Sequence, residues 1–196
     1  LYTRSGHKKA IKEVLEIFVE HGASEDILVD AHPHIGTNKL PNIITKMRET
    51  ILEFGGEIHF NSKLTDFIID KNRLTGVEIN QNLTIYAEAC ILATGHSARD
   101  IFYLLHDRNI KIEFKTFAMG VRVEHPQTLI DQIQYKKPER GEYLPPSAYS
   151  LVEQVDDKGV YSFCMCPGGI IAPCATSPGE VVTNGWSPSK RNNPYG

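Results

Sequence analysis

The chain has 196 residues, of which 41% are hydrophobic and 23% are charged, and its net charge at pH 7 is −3. These proportions are typical of a globular protein, and the slight negative charge argues against a nucleic-acid-binding surface. The sequence holds no apolar stretch of the roughly 18 residues that a membrane helix needs. Four cysteines follow no pattern of a small secreted domain, which predicts free thiols in the reducing cytoplasm. They are Cys90, Cys164, Cys166 and Cys174.

Two helices are predicted within the first 56 residues. The first carries a stripe of apolar residues at helical spacing and ends at Gly22. Ser24 then suits the cap of a short helical turn, and residues 32–38 (HPHIGTN) predict a loop because they contain Pro and Gly. Pro41 fits the first turn of the second helix, which Gly55 and Gly56 end. The predicted buried stripes are Ile11, Val14, Leu15 and Phe18 in the first helix and Ile43, Met47, Ile51 and Phe54 in the second.

Residues 57–94 change to short stretches that are rich in β-branched side chains. Strands are predicted at 57–60, 63–70, 73–80 and 83–87, and tight turns at Lys71-Asn72 and Gln81-Asn82 make the last three an antiparallel meander. Residues 89–94 (ACILAT) are apolar without alternation, which is typical of a strand buried on both faces of a parallel sheet. The order of elements predicts an α/β fold with the meander as an excursion from the sheet.

The end of residues 89–94 is a candidate ligand site. Ligands of open α/β folds bind beyond the carboxyl ends of the strands, and Gly95 would let a ligand approach the backbone closely. Ser97 fits the N-cap of a following helix, with Asp100 as its capping-box partner. A strand, a glycine turn and a capped helix also occur without any ligand, so this motif alone leaves both interpretations open.

A second, mixed α+β unit is predicted to begin near Asn109. Residues 113–125, 149–155 and 159–166 have the composition of strands, and residues 126–133 that of a short helix. The stretch 135–147 is rich in proline and polar residues, which predicts a long loop.

The stretch CMCPGG, residues 164–169, allows three interpretations. On a strand, Cys164 and Cys166 would project to the same face, where they could form a redox pair or bind a metal ion. The familiar redox dithiol is Cys-x-x-Cys, however, and a zinc site needs about four ligands, so no metal site is predicted. Two small buried apolar residues are the third interpretation. Pro167, Gly168 and Gly169 predict a tight turn.

Several segments together resemble the bacterial family of FAD-dependent, "NAD(FAD)-utilising" dehydrogenases in the glutathione-reductase-like flavoprotein superfamily. They are HPHIGTNKL, ATGHSARDIFYLLHDRNI, FAMGVRVEHPQTLID, YSFCMCPGG and VVTNG. The resemblance implies a partial Rossmann-like FAD-binding domain over residues 1–108 and a smaller α+β substrate-side domain over residues 109–196. Members of the superfamily begin with a GxGxxG unit that holds the pyrophosphate. This sequence has no GxGxxG and starts at Leu1, so we expect an internal segment of a longer protein.

The same resemblance implies FAD as the cofactor, and the family's name adds NAD(P)H as a reductant. It places Thr94, Gly95 and His96 against FAD, the backbone of Leu64 against the adenine, and the loop residues Gly36 and Thr37 near the flavin. The expected wall of a pocket for a small-molecule substrate is Cys164, Cys166, Pro167, Gly168 and Gly169. No residue is assigned a catalytic role, and His96 and Cys166 are the candidates for one.

The sequence leaves two other functions open. A flavin-dependent enzyme that modifies RNA would have a related fold, but it would also need a basic surface, which a net charge of −3 does not favour. A non-catalytic nucleotide-binding or scaffold domain would keep the fold without a working flavin site. The missing GxGxxG unit is the observation that favours this second alternative.

Overall fold

The computed structural model describes residues 6–30, 33–162 and 164–196. The chain folds as two compact units, which we call unit 1 (Leu1–Gly56 with Val121–Gly196) and unit 2 (Glu57–Gly120). This division is one of packing, and the domain boundary expected near residue 109 stays a prediction. None of the helices in the described part of the chain has both the length and the apolarity that crossing a bilayer requires.

The N-terminal helices of unit 1 form where the apolar periodicity predicts them. Helix α1 spans Lys8–Glu20, a short 3₁₀ helix spans Glu25–Leu28, and helix α2 spans Leu40–Glu53 with its proline in the first turn. Gly22 ends α1 in the left-handed region, at a φ of 102°. Such a stop suits glycine because it has no Cβ to clash with the preceding carbonyl.

A small apolar core joins these helices. Ile27 and Ile43 are each only 1% exposed and pack with Ala23, and Leu15, Phe18, Val19, Ile35 and Met47 surround them. The predicted stripe of α2 is wrong at its second half, since Ile51 and Phe54 are 48% and 85% exposed. The core reaches only the first turns of α2, so the apolar residues beyond it have nothing within this cluster to pack against.

In the rest of unit 1, the described residues form one helix and two strand pairs. Helix α4 spans Gln127–Tyr135, as expected, and strands β4 (Val152–Val155) and β5 (Lys158–Tyr161) form a hairpin. Strands β6 (Ile170–Pro173) and β7 (Thr183–Trp186) form the second antiparallel pair. Because β5 ends at Tyr161, the prediction that Cys164 and Cys166 lie on a strand is wrong.

Unit 2 is built on the predicted meander. Strands β1 (Leu64–Asp70), β2 (Arg73–Ile79) and β3 (Leu83–Tyr86) pair antiparallel in the order β1-β2-β3. Lys71 and Asn72 both have positive φ, at 46° and 65°, and this confirms the first tight turn. The second turn is shifted by one residue from the prediction, because the positive φ values fall on Asn80 and Gln81.

The predicted parallel sheet is not observed. Residues 57–60, 89–94 and 113–125 adopt no regular secondary structure, and Ile91 is 93% exposed. A strand buried on both faces needs paired neighbours and covering helices, whereas all strand pairs in the described part of the chain are antiparallel. The fold is therefore mixed α/β with small antiparallel sheets, and a Rossmann-like domain is not confirmed.

Helix α3 (Arg99–Asp107) begins later than its capping motif predicts. The residue before it is Ala98, and no side chain caps it, so the assignment of Ser97 as N-cap is wrong. Asp100 instead forms an ion pair with Lys63, whose Nζ lies 2.8 Å from Oδ2. At the other end of the helix Arg108 pairs with Asp66 of β1. One ion pair therefore joins the first turn of α3 to the residue before β1, and the other joins the residue after α3 to β1.

The burial of Ile43 gives a direct test of the α1–α2 core. We expect Ile43→Ala to lower the free energy of unfolding by about 3 kcal/mol, because it removes three buried carbons and leaves a cavity. Ile44→Ala on the same helix is the control, since Ile44 is 53% exposed, and should change it by less than about 0.5 kcal/mol. Urea denaturation followed by circular dichroism measures both. Equal losses would contradict this location of the core.

Candidate functional site

The loop of residues 33–38 is bound to a segment 150 residues further along the chain. The amide N and the Oγ1 of Thr37 donate to the carbonyl of Ser187 at 3.0 and 3.2 Å. Asn38 and Ser189 exchange two hydrogen bonds, and Nε2 of His34 donates to the carbonyl of Pro188 at 3.0 Å. Burial lowers the pKa of His34, against the hydrogen bond to Pro188, and the charge of Arg191 lowers it further. His34 is therefore a neutral structural donor.

The turn of Pro167, Gly168 and Gly169 rests on this same segment, residues 187–191. The Oγ of Ser187 donates to the carbonyl of Pro167 at 3.2 Å. A Cβ added to Gly168 would overlap the carbonyl of Arg191, and one added to Gly36 would overlap the backbone of Ser189. The 187–191 segment therefore brings the predicted cofactor loop and the predicted substrate turn together within unit 1.

Gln127, the first residue of α4, fixes the turn from a different direction. Its Oε1 accepts the backbone N–H of Gly168 at 3.2 Å. Its Nε2 donates to Oδ1 of Asp131 and to the carbonyl of Ser147, each at 2.9 Å. A carboxylate and a carbonyl can only accept hydrogen bonds, so the nitrogen of the side-chain amide must face both of them. Its oxygen therefore faces the turn.

Asp131 is the centre of this buried network. It is 6% exposed, and its Oδ1 also accepts the amide N and the Oγ of Ser147, each at 2.8 Å. Its Oδ2 accepts Nη1 of Arg140 at 2.9 Å. Burial by itself would raise the pKa of Asp131, but these hydrogen bonds and the Arg140 charge outweigh it and hold the pKa below its usual range. Asp131 is therefore a charged anchor at neutral pH.

Sequence reasoning missed Gln127, Asp131 and the 187–191 segment. The available signal for the first two is their spacing of four residues, which places both on one face of α4 beside the buried Ile130. Polar residues at such positions are usually exposed, so the spacing alone does not reveal a buried network.

The two cysteines of the motif differ in exposure. Cys164 is exposed and Cys166 is half-buried, and Met165 alone separates the two residues in the chain. A Cβ at Gly185 would lie 2.9 Å from Sγ of Cys166 and 3.1 Å from Nη1 of Arg122, so this glycine makes room for both groups. Burial raises the pKa of Cys166, and Cys164 adds to the rise, while Arg122 and Arg191 oppose it.

This environment bears on the chemistry open to the two thiols. A thiol with a raised pKa is mostly protonated at neutral pH, and this weakens the case for Cys166 as a catalytic nucleophile. Among the described residues, no group of three or more His, Cys, Asp or Glu side chains gathers where a metal ion could bind.

The other predicted cofactor residues belong to unit 2. Leu64 is the first residue of β1 and lies opposite Ile79. Thr94, Gly95 and His96 are exposed in the segment before α3. Gly95 has a φ of 77°, and nothing lies within 4 Å of where its Cβ would be. The Lys63–Asp100 ion pair brings the start of β1 close to the start of α3. The roles given to these residues stay predictions.

These residues fit FAD in part. The open backbone at Gly95 offers a flat ligand close approach, as a dinucleotide requires. The polar groups of Thr37, in contrast, are already paired with Ser187, and the 196 residues contain no glycine-rich cradle for a pyrophosphate. The remaining contacts to FAD would therefore have to come from polypeptide outside this chain.

Comparison with known proteins supports an FAD-dependent family. Residues 116–196 match the family described as FAD-dependent protein, C-terminal domain-like, which indicates a flavoprotein-associated domain and gives no support for NAD(P)H. A similar protein is an uncharacterized protein of Clostridium beijerinckii, 40% identical over 177 residues. The alignment covers 89% of this chain and 33% of that protein, so the chain spans about a third of its length. The residues matched to the family include the Gln127–Asp131 network and the stretch 164–169 with its turn.

The lowered pKa of Asp131 predicts a dependence of stability on pH. Unfolded, this carboxyl regains a higher pKa, so the unfolded chain binds more protons near pH 4 and protonation favours unfolding. The stabilisation is complete above the unfolded pKa of about 3.9 and is lost as the pH falls through the lower folded pKa. Asp131→Asn should therefore reduce stability at pH 7 and reduce it less at pH 3. Urea midpoints measure this, with exposed Glu142→Gln as the control. A deficit that is constant with pH would contradict it.

The packing of the 187–191 segment can be tested on two glycines with similar backbone angles. Gly36 and Gly179 have φ values of 95° and 81°, but only Gly36 meets neighbouring backbone where its Cβ would lie. An alanine at either site carries the positive-φ strain of about 1 kcal/mol. We expect Gly36→Ala to lose about 2 kcal/mol more from overlap with Ser189. Urea denaturation of both variants measures the difference, and equal losses would mean that the segment is not packed there.

Proposed function

We propose that this chain is part of a longer FAD-dependent oxidoreductase that acts on a small molecule. The observation that carries the proposal is the match of residues 116–196 to a domain of FAD-dependent proteins. The Gln127–Asp131 network lies within those residues. The relative is about three times as long as the aligned part of this chain. In this proposal the rest of the protein supplies the cradle for the FAD pyrophosphate.

FAD, when bound, would supply the redox chemistry by exchanging a hydride with the substrate. The residues of this chain would bind and orient the reactants. Thr94, Gly95 and His96 would contact FAD through their accessible backbone, and Leu64 would contact the adenine. His96 is exposed, and its imidazole would be the group that transfers a proton to a reactant beside the flavin.

The 164–169 stretch would form a wall on the substrate side. The turn is fixed from two directions, by Gln127 at the N–H of Gly168 and by Ser187 at the carbonyl of Pro167. Because the turn is held from two directions, this wall would keep a fixed position and would hold the substrate in one orientation. Hydride transfer requires such a fixed orientation of the two reactants. Cys166, kept protonated by its burial, would present a neutral and polarisable surface there.

The proposal predicts a yellow full-length protein. We expect the purified protein that contains this chain to show the near-ultraviolet and blue absorption bands of oxidised flavin, and to bleach when a chemical reductant is added. The 196-residue chain, prepared alone, should remain colourless because the pyrophosphate cradle is missing. A full-length protein that stays colourless after incubation with FAD would contradict the enzyme proposal and favour a non-catalytic scaffold domain.

A pair of glycine variants tests the contact at Gly95 in the full-length protein. Gly95 and Gly55 have φ values of 77° and 80°, and nothing lies within 4 Å of either Cβ position. Alanine therefore introduces the same backbone strain at both, but only at position 95 would the methyl group face FAD. We expect Gly95→Ala to weaken FAD binding about tenfold and Gly55→Ala to leave it unchanged. A titration of the apoprotein that finds equal affinities would remove Gly95 from the FAD site.

A further inference from the structure

We infer that Cys164 and Cys166 are a reversible redox dithiol, which closes into a disulfide by exchange with a small-molecule disulfide. This inference does not depend on the proposed function, because no flavin takes part in the exchange. It concerns a pair of thiols that the proposed oxidoreductase leaves without a chemical role.

The first support is proximity. Cys164 and Cys166 are separated in the chain by Met165 alone, so the distance between their Cα atoms is limited by two residues of chain. Two residues of fully extended chain span at most about 7 Å, whereas the Cα atoms of a disulfide lie about 4.4–6.8 Å apart. The bridge therefore needs a backbone that is not fully extended. Residues 164–166 lie outside β5 and β6 and enter a turn closed by the 2.9 Å hydrogen bond from Gly169 N to the Cys166 carbonyl.

The second support is the difference in access between the two thiols. Cys164 is exposed, so a disulfide from solution can reach it, while Cys166 is half-buried. The turn that follows Cys166 is held by Gln127 and Ser187, so this sulfur is fixed in place. The arrangement separates an attacking thiol from a resolving thiol.

The third support is the charge around Cys166. Arg122 and Arg191 both act to favour its thiolate, although burial outweighs them in the reduced state. Gly185 leaves the space in which Sγ of Cys166 and the Arg122 guanidinium lie side by side. Once the Cys164 sulfur is part of a mixed disulfide, it can no longer become a thiolate whose charge opposes ionisation of Cys166, and the two arginines favour the thiolate that completes the exchange.

The exchange is balanced by two thiol–disulfide steps. The Cys164 thiol loses its proton to solvent, and its thiolate attacks one sulfur of oxidised glutathione, forms a mixed disulfide and releases one glutathione thiolate, which takes up a proton. Cys166 then loses its proton to solvent, and its thiolate attacks the Cys164 sulfur and releases the second glutathione. Overall the cysteine pair loses two electrons and two protons, and the glutathione disulfide is reduced to two thiols.

The test uses glutathione buffers and mass spectrometry on the intact chain. Cys174 lies on the same tryptic peptide as the pair, so Cys174→Ser is the background in which the assignment is unambiguous. Samples are equilibrated over a series of reduced-to-oxidised glutathione ratios, trapped with acid, alkylated and digested. We expect the peptide to lose two hydrogens in one two-electron transition. Further substitution of Cys166 by Ser should leave glutathione attached to Cys164, and further substitution of Cys164 by Ser should abolish both products.

The controls and the contrary outcomes are defined in the same experiment. Cys90→Ser, which removes an exposed thiol of unit 2, should leave the transition unchanged. Circular dichroism confirms that each variant is folded, and Cys166→Ala replaces the serine variant if that one is not. The inference is overturned if both thiols remain alkylated at every ratio. It is also overturned if Cys164 retains glutathione while Cys166 is present, or if the transition disappears in Cys174→Ser.

Discussion

The buried carboxylate of Asp131 is the charge around which α4, the loop before β4 and the turn of Pro167, Gly168 and Gly169 are arranged. It joins α4 to the loop before β4 through Ser147, and it joins α4 to the turn after Cys166 through Gln127. A buried charge is tolerable only when its hydrogen-bonding capacity is satisfied, and here four bonds from Gln127, Arg140 and Ser147 satisfy it. The network therefore favours one geometry for the turn. If Gly168 were elsewhere, Oε1 of Gln127 would lose the backbone N–H that it accepts.

The 187–191 segment completes that geometry from the opposite end of the sequence. It occupies the spaces beside Gly36 and Gly168, where a side chain would overlap its backbone. Backbone packed this closely requires glycine at both positions. Gly36 and Gly168 are buried, and contact with this segment explains their burial without a bound ligand. The two glycines are therefore explained by internal packing, and a ligand-binding role for either would have to involve the groups that this packing leaves exposed.

Local patterns predicted the elements that depend only on near neighbours. Helices α1, α2 and α4 follow apolar periodicity, and the meander follows from β-branched runs separated by turns such as Lys71-Asn72. Residues 89–94 read as a buried strand, but whether they form one depends on partners that the local sequence does not specify. Gln127 and Asp131 escaped prediction for a related reason, since their burial is made tolerable by Ser147 and Gly168, 16 to 41 residues away. Long-range satisfaction of polar groups has no local signature.

The same network accounts for the asymmetry between the two cysteines. Cys166 directly precedes the turn that Gln127 and Ser187 hold. Its sulfur lies beside Gly185 and Arg122. Cys164 lies two residues further from that anchor and is exposed. The hydrogen bonds that hold the turn thus lie next to Cys166, and Cys164 lies outside them. The turn that would form a substrate wall in a flavoenzyme thus also sets the geometry of the thiol pair.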